Sequence, residues 1–359
     1  MPEKEELKEM VHSRPSIIAF SPEEIFSVCR LEKSFQATQV FAWLASGITS
    51  FEDMTNLPIT LRQTLDEKFS IYTTHVVSTL KDKSSFKIAI KLKDKAVVEA
   101  VLLIDEKQRL TACLSSQVGC PLSCRFCKTG MLGFKRNLTS GEIVEEFHHL
   151  TKIAKRKIDN IVFMGMGEPL LNITEVQKAI SILTHPKGLA LSKRRITIST
   201  AGLINEIRQL ANEGDGVRLA VSLTVADHAS RLSLMPVEKA NPLDELKTAI
   251  KYFNDKTHKR VTLEIALISG VNTSKEMVKK VIEFAKDLNV FINLIPWNPI
   301  KELPFSTPSS KEVDMVEKQL KNSGLTVAVR RKKGGNIAGS CGQLGRVNMK
   351  KSLLRKSEK

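Results

Sequence analysis

The sequence predicts an α/β chain: a partial (β/α)6 barrel with a small helical domain in front of it. Three observations carry this. From about Leu110 a strand, a loop and a helix recur six times in series. Polar or glycine-rich stretches stand at the C-terminal end of nearly every one of those strands. Residues 1–75, by contrast, carry helical patterns only. Serial strand–helix units give parallel strands joined by right-handed crossovers. A doubly wound sheet would gather its ligand signals at one switch point, whereas a barrel spreads them over its strand ends.

Taken in order, Ser21-Pro22-Glu23-Glu24 reads as an N-cap, a proline at N1 and a glutamate at N3. A second helix is expected over residues 35–44, and residues 51–58 turn into a third over 59–69. Together they make an accessory domain over residues 1–75. Residues 87–92 and 97–104 alternate or run apolar, as a strand pair within a connecting segment 76–108. The barrel, residues 109–332, has strands expected at 110–116, 159–164, 195–200, 217–223, 261–268 and 291–296. Its helices are expected at 140–154, 174–183, 204–212, 243–253, 275–288 and 311–321. A last strand at 325–330 leads into a C-terminal loop and basic tail, residues 333–359.

Lys and Arg number 55 against 39 Asp and Glu, a net charge of +16. That excess points to a polyanionic partner, nucleic acid first. Aromatic residues are only 5%, too few for a single-strand binder built mainly on stacking platforms. With 42% hydrophobic and 26% charged residues, disordered and collagen-like classes are excluded. No apolar run approaches a bilayer span, so no membrane partner is expected. The opening segment MPEKEELKEM is charged and holds no apolar core, so no secretory signal is read there and a cytoplasmic protein is expected.

In a reducing cytosol, clustered cysteines read as metal-binding or catalytic. Three of the six fall together in QVGCPLSCRFCKTG: Cys120, Cys124 and Cys127, spaced C-x3-C-x2-C. A structural zinc site wants four closed ligands, and no histidine stands nearby to be the fourth. Cys113 is near in sequence but expected at the far end of a strand. An iron–sulfur cluster suits a short cysteine-rich loop better, and three ligands leave one iron open for chemistry. This spacing resembles that of radical S-adenosylmethionine (SAM) enzymes, in which SAM chelates the open iron. Zinc remains the alternative on spacing alone.

The other strand ends carry Met164-Gly165-Met166-Gly167-Glu168-Pro169, then Ser199-Thr200-Ala201-Gly202, Ser222-Leu223-Thr224 and Asn293 to Pro299. Together they describe a pocket for a polar, zwitterionic nucleoside. Cys341 lies in a small-residue loop behind the four cations Arg330 to Lys333. A thiol in such surroundings is expected to be partly thiolate and nucleophilic. The basic C-terminal run suits an RNA contact. Cys29 belongs to no motif and reads as a helix core residue.

Several stretches together resemble one family: CLSSQVGC (113–120), GFKRNL (133–138), GMGEPL (165–170), LMP (234–236), NLIPWNP (293–299), CGQL (341–344) and residues 51–58. The chain is similar to the RlmN/Cfr family of radical SAM adenine methyltransferases from about residue 20 to 350. Cys120, Cys124 and Cys127 match the ligands of a 4Fe-4S cluster. Gly167, Glu168, Ser199, Ser222, Leu223, Thr224 and Asn298 match the SAM-binding positions. Cys341 matches a cysteine that is itself methylated, and Cys113 the one that resolves a protein–RNA adduct. Glu99 matches a proposed proton acceptor; its strand position alone reads as solvent-facing.

The resemblance implies methylation of carbon 2 of an adenine in 23S rRNA and in tRNA next to the anticodon. The route uses two SAM molecules, S-methylcysteine at Cys341 and a transient Cys113–Cys341 disulfide. Carbon 8 of the rRNA adenine is the alternative, as is another RNA target. A monomer is expected, with an electron donor such as flavodoxin and its reductase or ferredoxin. Thr224 stands where a histidine is usual, Asn336 and Ala338 where aspartates are usual, and Gly339-Ser340 replaces an alanine pair. Two other classes stay open: a non-catalytic iron–sulfur or zinc RNA-binding protein, and a radical SAM enzyme acting on a small molecule.

Overall fold

The computed structural model describes residues 14–214, 216–330 and 337–345. Strands β1 (His75–Asp82), β2 (Ser85–Lys91), β3 (Val97–Ile104) and β4 (Leu110–Cys113) pair antiparallel in that order. β5 (Gln117–Gly119) and β6 (Phe134–Asn137) form a separate antiparallel pair that brackets the cysteine loop. β7 (Asn160–Phe163) pairs in parallel with β4. β8 (Ile196–Thr200), β9 (Arg218–Ser222), β10 (Val261–Leu267), β11 (Val290–Pro296) and β12 (Val327–Val329) follow, each parallel to the one before. One ten-stranded sheet results, its parallel part the expected barrel and its antiparallel part an extension beyond β4. β4 and β12 do not pair with each other, so the barrel is open.

The helices begin where their caps allow. The accessory segment holds α1 (Pro22–Val28), α2 (Ser34–Ala45) and α3 (Ile59–Lys68). The barrel helices are α4 (Ser140–Ala154), α5 (Ile173–Thr184), α6 (Ile204–Glu213), α7 (His228–Leu234), α8 (Leu243–Thr257), α9 (Lys275–Ala285) and α10 (Ser310–Asn322). Capping boxes join Ser21 to Glu24, Thr139 to Glu142 and Ser309 to Glu312. Each satisfies two backbone donors that an α-helix leaves unpaired at its start.

One apolar cluster runs from Ile17, Ile25 and Phe41 of the accessory segment through Phe147 of α4 to Leu263 and Ile292 in the barrel strands. Glu145 of α4 locks the two regions together. Its buried carboxylate accepts from Ser16 Oγ at 2.9 Å, Thr73 N at 2.9 Å and Thr74 N at 2.8 Å. Cys29 caps α1 and is buried in the core, as its lack of a motif suggested.

Three elements differ from the expectation. β1 is an edge strand exposed at nearly every position, so its sequence shows no two-residue alternation. The strand expected at 110–116 ends at Cys113, and the chain turns before continuing as β5. α7 is a seven-residue insertion capped by Asp227, whose side chain accepts from Ser230 N.

Candidate active site

The C-terminal ends of the parallel strands converge on one cavity of about 190 Å³. Met164 after β7, Ser199 of β8, Ser222 of β9, Glu264 of β10 and Ile295 of β11 all line it. A flat sheet could not bring five strand ends to one small space, so the barrel reading holds.

One wall carries Cys120, Cys124 and Cys127. The β5–β6 hairpin positions them. Gly119 has φ +81°, and a Cβ there would lie 1.8 Å from the Gly133 carbonyl oxygen, so only glycine permits this turn. Cys120 N then donates to that same Gly133 oxygen at 2.9 Å. Arg125 N bonds Leu234 O at the end of α7, and Trp297 Nε1 bonds Phe126 O. Burial pushes all three thiols up, Cys120 to about 12, and for Cys124 repulsion from Cys127 and Cys120 adds to it. Thiols that resist ionising beside one another are the set a cationic iron cluster would hold as thiolates. No group of three or more His, Cys, Asp or Glu among the described residues is arranged for a single ion. Cys113 lines a second cavity and not the one the three share, so it is not grouped with them as the fourth ligand a closed zinc site would need.

The facing wall is polar. Gly167 has φ +101°, and a Cβ on it would meet Gln117 Cβ at 2.5 Å. Gln117 Oε1 accepts from Glu168 N at 2.9 Å, which fixes the following acid. The Glu168 carboxylate accepts from Ala201 N at 2.8 Å and Leu170 N at 3.1 Å. Burial nevertheless pushes it up to about 7. A buried acid with spare acceptor capacity suits an ammonium partner. Ser199, Ser222, Thr224 and Asn298 complete the wall. Thr224 adopts φ +55°, a strained backbone for a β-branched residue, held by the Glu264 carbonyl and by Asn272 Nδ2. Leu223 is the exception among the expected cofactor positions. It is fully buried and does not line the cavity; its carbonyl accepts from Arg231 instead.

Cys341 lines both cavities, and Cys113 lines only the second, smaller one, together with Arg330. The Cys341 loop is tied down on several sides. Lys128 N donates to Gly342 O at 2.7 Å, Asn298 Nδ2 to Cys341 O at 3.3 Å and Gln343 Nε2 to Pro299 O at 2.9 Å. Ala338 in this loop has φ +47°. Asn336 lies outside the described residues.

Glu99 corrects the solvent-facing reading of its strand position. It is 1% exposed, ion-paired with buried Lys87 at 2.8 Å, and it accepts from Gly345 N at 2.5 Å. The cover is the Cys341 loop itself, which no local pattern on β3 could reveal.

Sequence reasoning missed three site residues. Arg231 is wholly buried and donates to Ala201 O and Ser222 O, bracing two strand ends beneath the cavity. Its Nε lies 2.9 Å from Glu238 Oε2, an ion pair whose angle is not that of a hydrogen bond. Glu264 lines the cavity, and burial pushes its carboxyl up. Arg330 was read only as part of a basic run.

Residues 114–285 match the family model described as the Radical SAM superfamily, and residues 24–71 match the ribosomal RNA large subunit methyltransferase N-terminal domain. The chain is 57% identical to a probable dual-specificity RNA methyltransferase RlmN of Treponema denticola, over 90% of this chain and 93% of that protein. It is 43% identical to the corresponding protein of Carboxydothermus hydrogenoformans, over 87% and 92%. The chain belongs to the RlmN family of radical SAM methyltransferases. A crystal structure of a radical SAM methyltransferase from Sphaerobacter thermophilus superposes with a TM-score of 0.88 at 34% identity, over 92% of this chain and 99% of that one. As an RlmN-family enzyme it works with an iron–sulfur cluster and SAM. The three cysteines and the polar residues line one and the same cavity. No helix among the described residues is long and apolar enough to cross a membrane.

Proposed function

We propose that this enzyme methylates carbon 2 of adenine in 23S rRNA and in tRNA next to the anticodon, carrying the methyl group on Cys341. The observation behind this reading is the shared cavity of Cys113 and Cys341, two cysteines far apart in sequence. A cofactor pocket alone would not need the second thiol.

Cys120, Cys124 and Cys127 would hold a 4Fe-4S cluster, and Gly167, Glu168, Ser199, Ser222, Thr224 and Asn298 would hold SAM. When bound, that pair supplies one-electron cleavage of SAM and the radical chemistry it starts. The chain's own residues do the rest. Cys341 sulfur accepts a methyl group by displacement, forming one carbon–sulfur bond as the donor's breaks. The methyl group would give up one hydrogen atom to that radical chemistry before its carbon joins adenine, and Glu99 takes the ring proton as the adduct gives its unpaired electron back to the same one-electron system. Both Glu99 oxygens are engaged, so this step requires the Gly345 contact to open. Cys113 then attacks Cys341 sulfur. The disulfide forms, the carbon–sulfur bond breaks, and its electron pair leaves on carbon, which takes up a proton to complete the methyl group. A cellular dithiol returns the disulfide to thiols. The reducing electron would come from a donor such as flavodoxin with its reductase, or ferredoxin.

The target adenine must leave its stack to reach a cavity at the strand ends, at a cost of a few kcal/mol. The net charge of +16 supplies phosphate contacts that offset it. The test is mass spectrometry of nucleosides from rRNA and tRNA of a strain lacking the gene. Loss of 2-methyladenosine, restored by wild type and not by Cys341→Ala, supports the reading. Loss of 8-methyladenosine alone moves the enzyme to carbon 8, and no change in either overturns both.

A further inference from the structure

Arg330 follows β12, and its backbone N bonds Leu294 O at 2.8 Å. Its side chain turns inward. Nη1 lies 3.3 Å from Cys341 Sγ as a donor. The same guanidinium is near enough to Cys113 of β4 and Glu264 of β10 for their charges to act on it. It lines the small cavity that both cysteines share.

The two thiols need a cation for different reasons. Cys341 must act as a nucleophile toward a methyl group, and a thiolate is the nucleophile. Cys113 is fully enclosed, and burial pushes its thiol up to about 12, with Cys341 and Glu146 adding to the rise. That value already includes the pull of Arg330, without which the thiol would resist ionising further. Arg330 is the charge that opposes this. Glu264, whose carboxylate accepts from Asn293 Nδ2 at 2.7 Å on the neighbouring strand, is the anion nearest to hand on the barrel side.

We infer that Arg330 is a further catalytic residue, one guanidinium that steadies the sulfur anion first of Cys341 and later of Cys113. The inference rests on the proposed cysteine route. In the first half-reaction the anion at Cys341 is consumed as its sulfur gains the methyl carbon. In the second, the anion at Cys113 is consumed as the sulfur–sulfur bond forms and the electron pair of the breaking bond leaves on carbon. On reduction of the disulfide by a dithiol, one sulfur leaves as an anion, again beside Arg330. A better-stabilised leaving thiolate departs faster.

The test uses the reconstituted full-length enzyme with SAM, a chemical reductant and a transcript carrying the target adenine. Cys113→Ala is the reference and accumulates covalent protein–RNA adduct, seen as a retarded band on a denaturing gel. Arg330→Gln is expected to slow turnover about tenfold and to raise the adduct fraction at least fivefold over wild type, while Arg330→Lys stays within threefold of wild type in both. A general loss of packing would slow turnover without trapping adduct. Adduct in Cys113→Ala with none in Arg330→Gln, when peptide mass spectrometry shows Cys341 methylated in both, overturns the inference and leaves the cysteine route standing; an unmethylated Cys341 in Arg330→Gln alone supports the first role. No adduct in Cys113→Ala overturns the route itself and the inference with it.

A second measurement needs no variant. The ratio of iodoacetate to iodoacetamide alkylation rates at Cys341, read by peptide mass spectrometry, reports local charge. In the native holoenzyme it is expected severalfold above the ratio for the same cysteine in urea. An equal or lower native ratio overturns the inference.

Discussion

Replacing Lys87 by Met removes the cation from a closed ion pair and leaves the Glu99 carboxylate without its charge partner. The pair is 2.8 Å long, and the side chains are 4% and 2% exposed. Breaking such a pair from one side costs about 3–5 kcal/mol, because the remaining charge keeps its desolvation penalty. The remaining contact, Gly345 N to Glu99 Oε2, is one hydrogen bond to a charged acceptor, about 1.5–3 kcal/mol. It cannot compensate fully, and it ties the outcome to the Cys341 loop. At about 2 °C per kcal/mol for a chain of this size, Lys87→Met should lower Tm by roughly 6–10 °C. The double variant Lys87→Met/Glu99→Gln removes both charges and should recover most of that loss. Urea and thermal unfolding followed by circular dichroism read both proteins. A Lys87→Met protein within about 1 kcal/mol of wild type, or a double variant no better than the single, would refute the reasoning that this is a closed, desolvated ion pair.

Glu168→Gln should weaken SAM binding at least tenfold by equilibrium dialysis, yet stabilise the apo-protein above neutral pH. The folded carboxyl stands near 7 and the unfolded one near 4.5, so the fold holds more protons between those values and loses stability as pH rises through them. The variant lacks this loss, which is on the order of 3 kcal/mol by pH 8, and the two proteins should converge below pH 5. His148 runs the other way: burial lowers it to about 4, so a histidine that charges only on unfolding costs stability as pH falls from about 6.5 towards 4. His148→Gln should flatten that acid limb in urea titrations. Gly167→Ala forces a Cβ to 2.5 Å from Gln117 at φ +101°, and should cost about 1–3 kcal/mol and lower SAM affinity together. Alanine at Cys120, Cys124 or Cys127 should each abolish bound iron and the visible absorption of the reconstituted protein, while far-ultraviolet circular dichroism stays unchanged.

The barrel was legible because its signal is local. Parallel strands buried within the sheet read as apolar runs, and helical patterns recur between them. The cysteine wall was equally local, three thiols on one short loop. The positions hidden from the sequence are those set by distant chain. Glu99 is covered by Gly345, 246 residues further on, and by a lysine on the neighbouring strand. Leu223 follows a lining serine but points into the core, since successive residues at a strand end face opposite ways. Arg330 looked like the start of a basic run suited to RNA, and only the tertiary fold turns its guanidinium onto Cys341. β1 gave no alternation because water meets it on both sides.

The central claim is that the methyl group travels through Cys341 on its way to RNA. The direct measurement is a pulse and chase. The holoenzyme is charged with SAM carrying a deuterated methyl group, stripped of excess donor, and then given unlabelled SAM, reductant and RNA. The account predicts label first on the Cys341 peptide, then its loss from that peptide as it enters the adenine of the RNA, with Cys341→Ala taking up none and methylating none. Label that reaches RNA in the Cys341→Ala enzyme, or that remains on Cys341 while unlabelled methyl enters RNA, would contradict it.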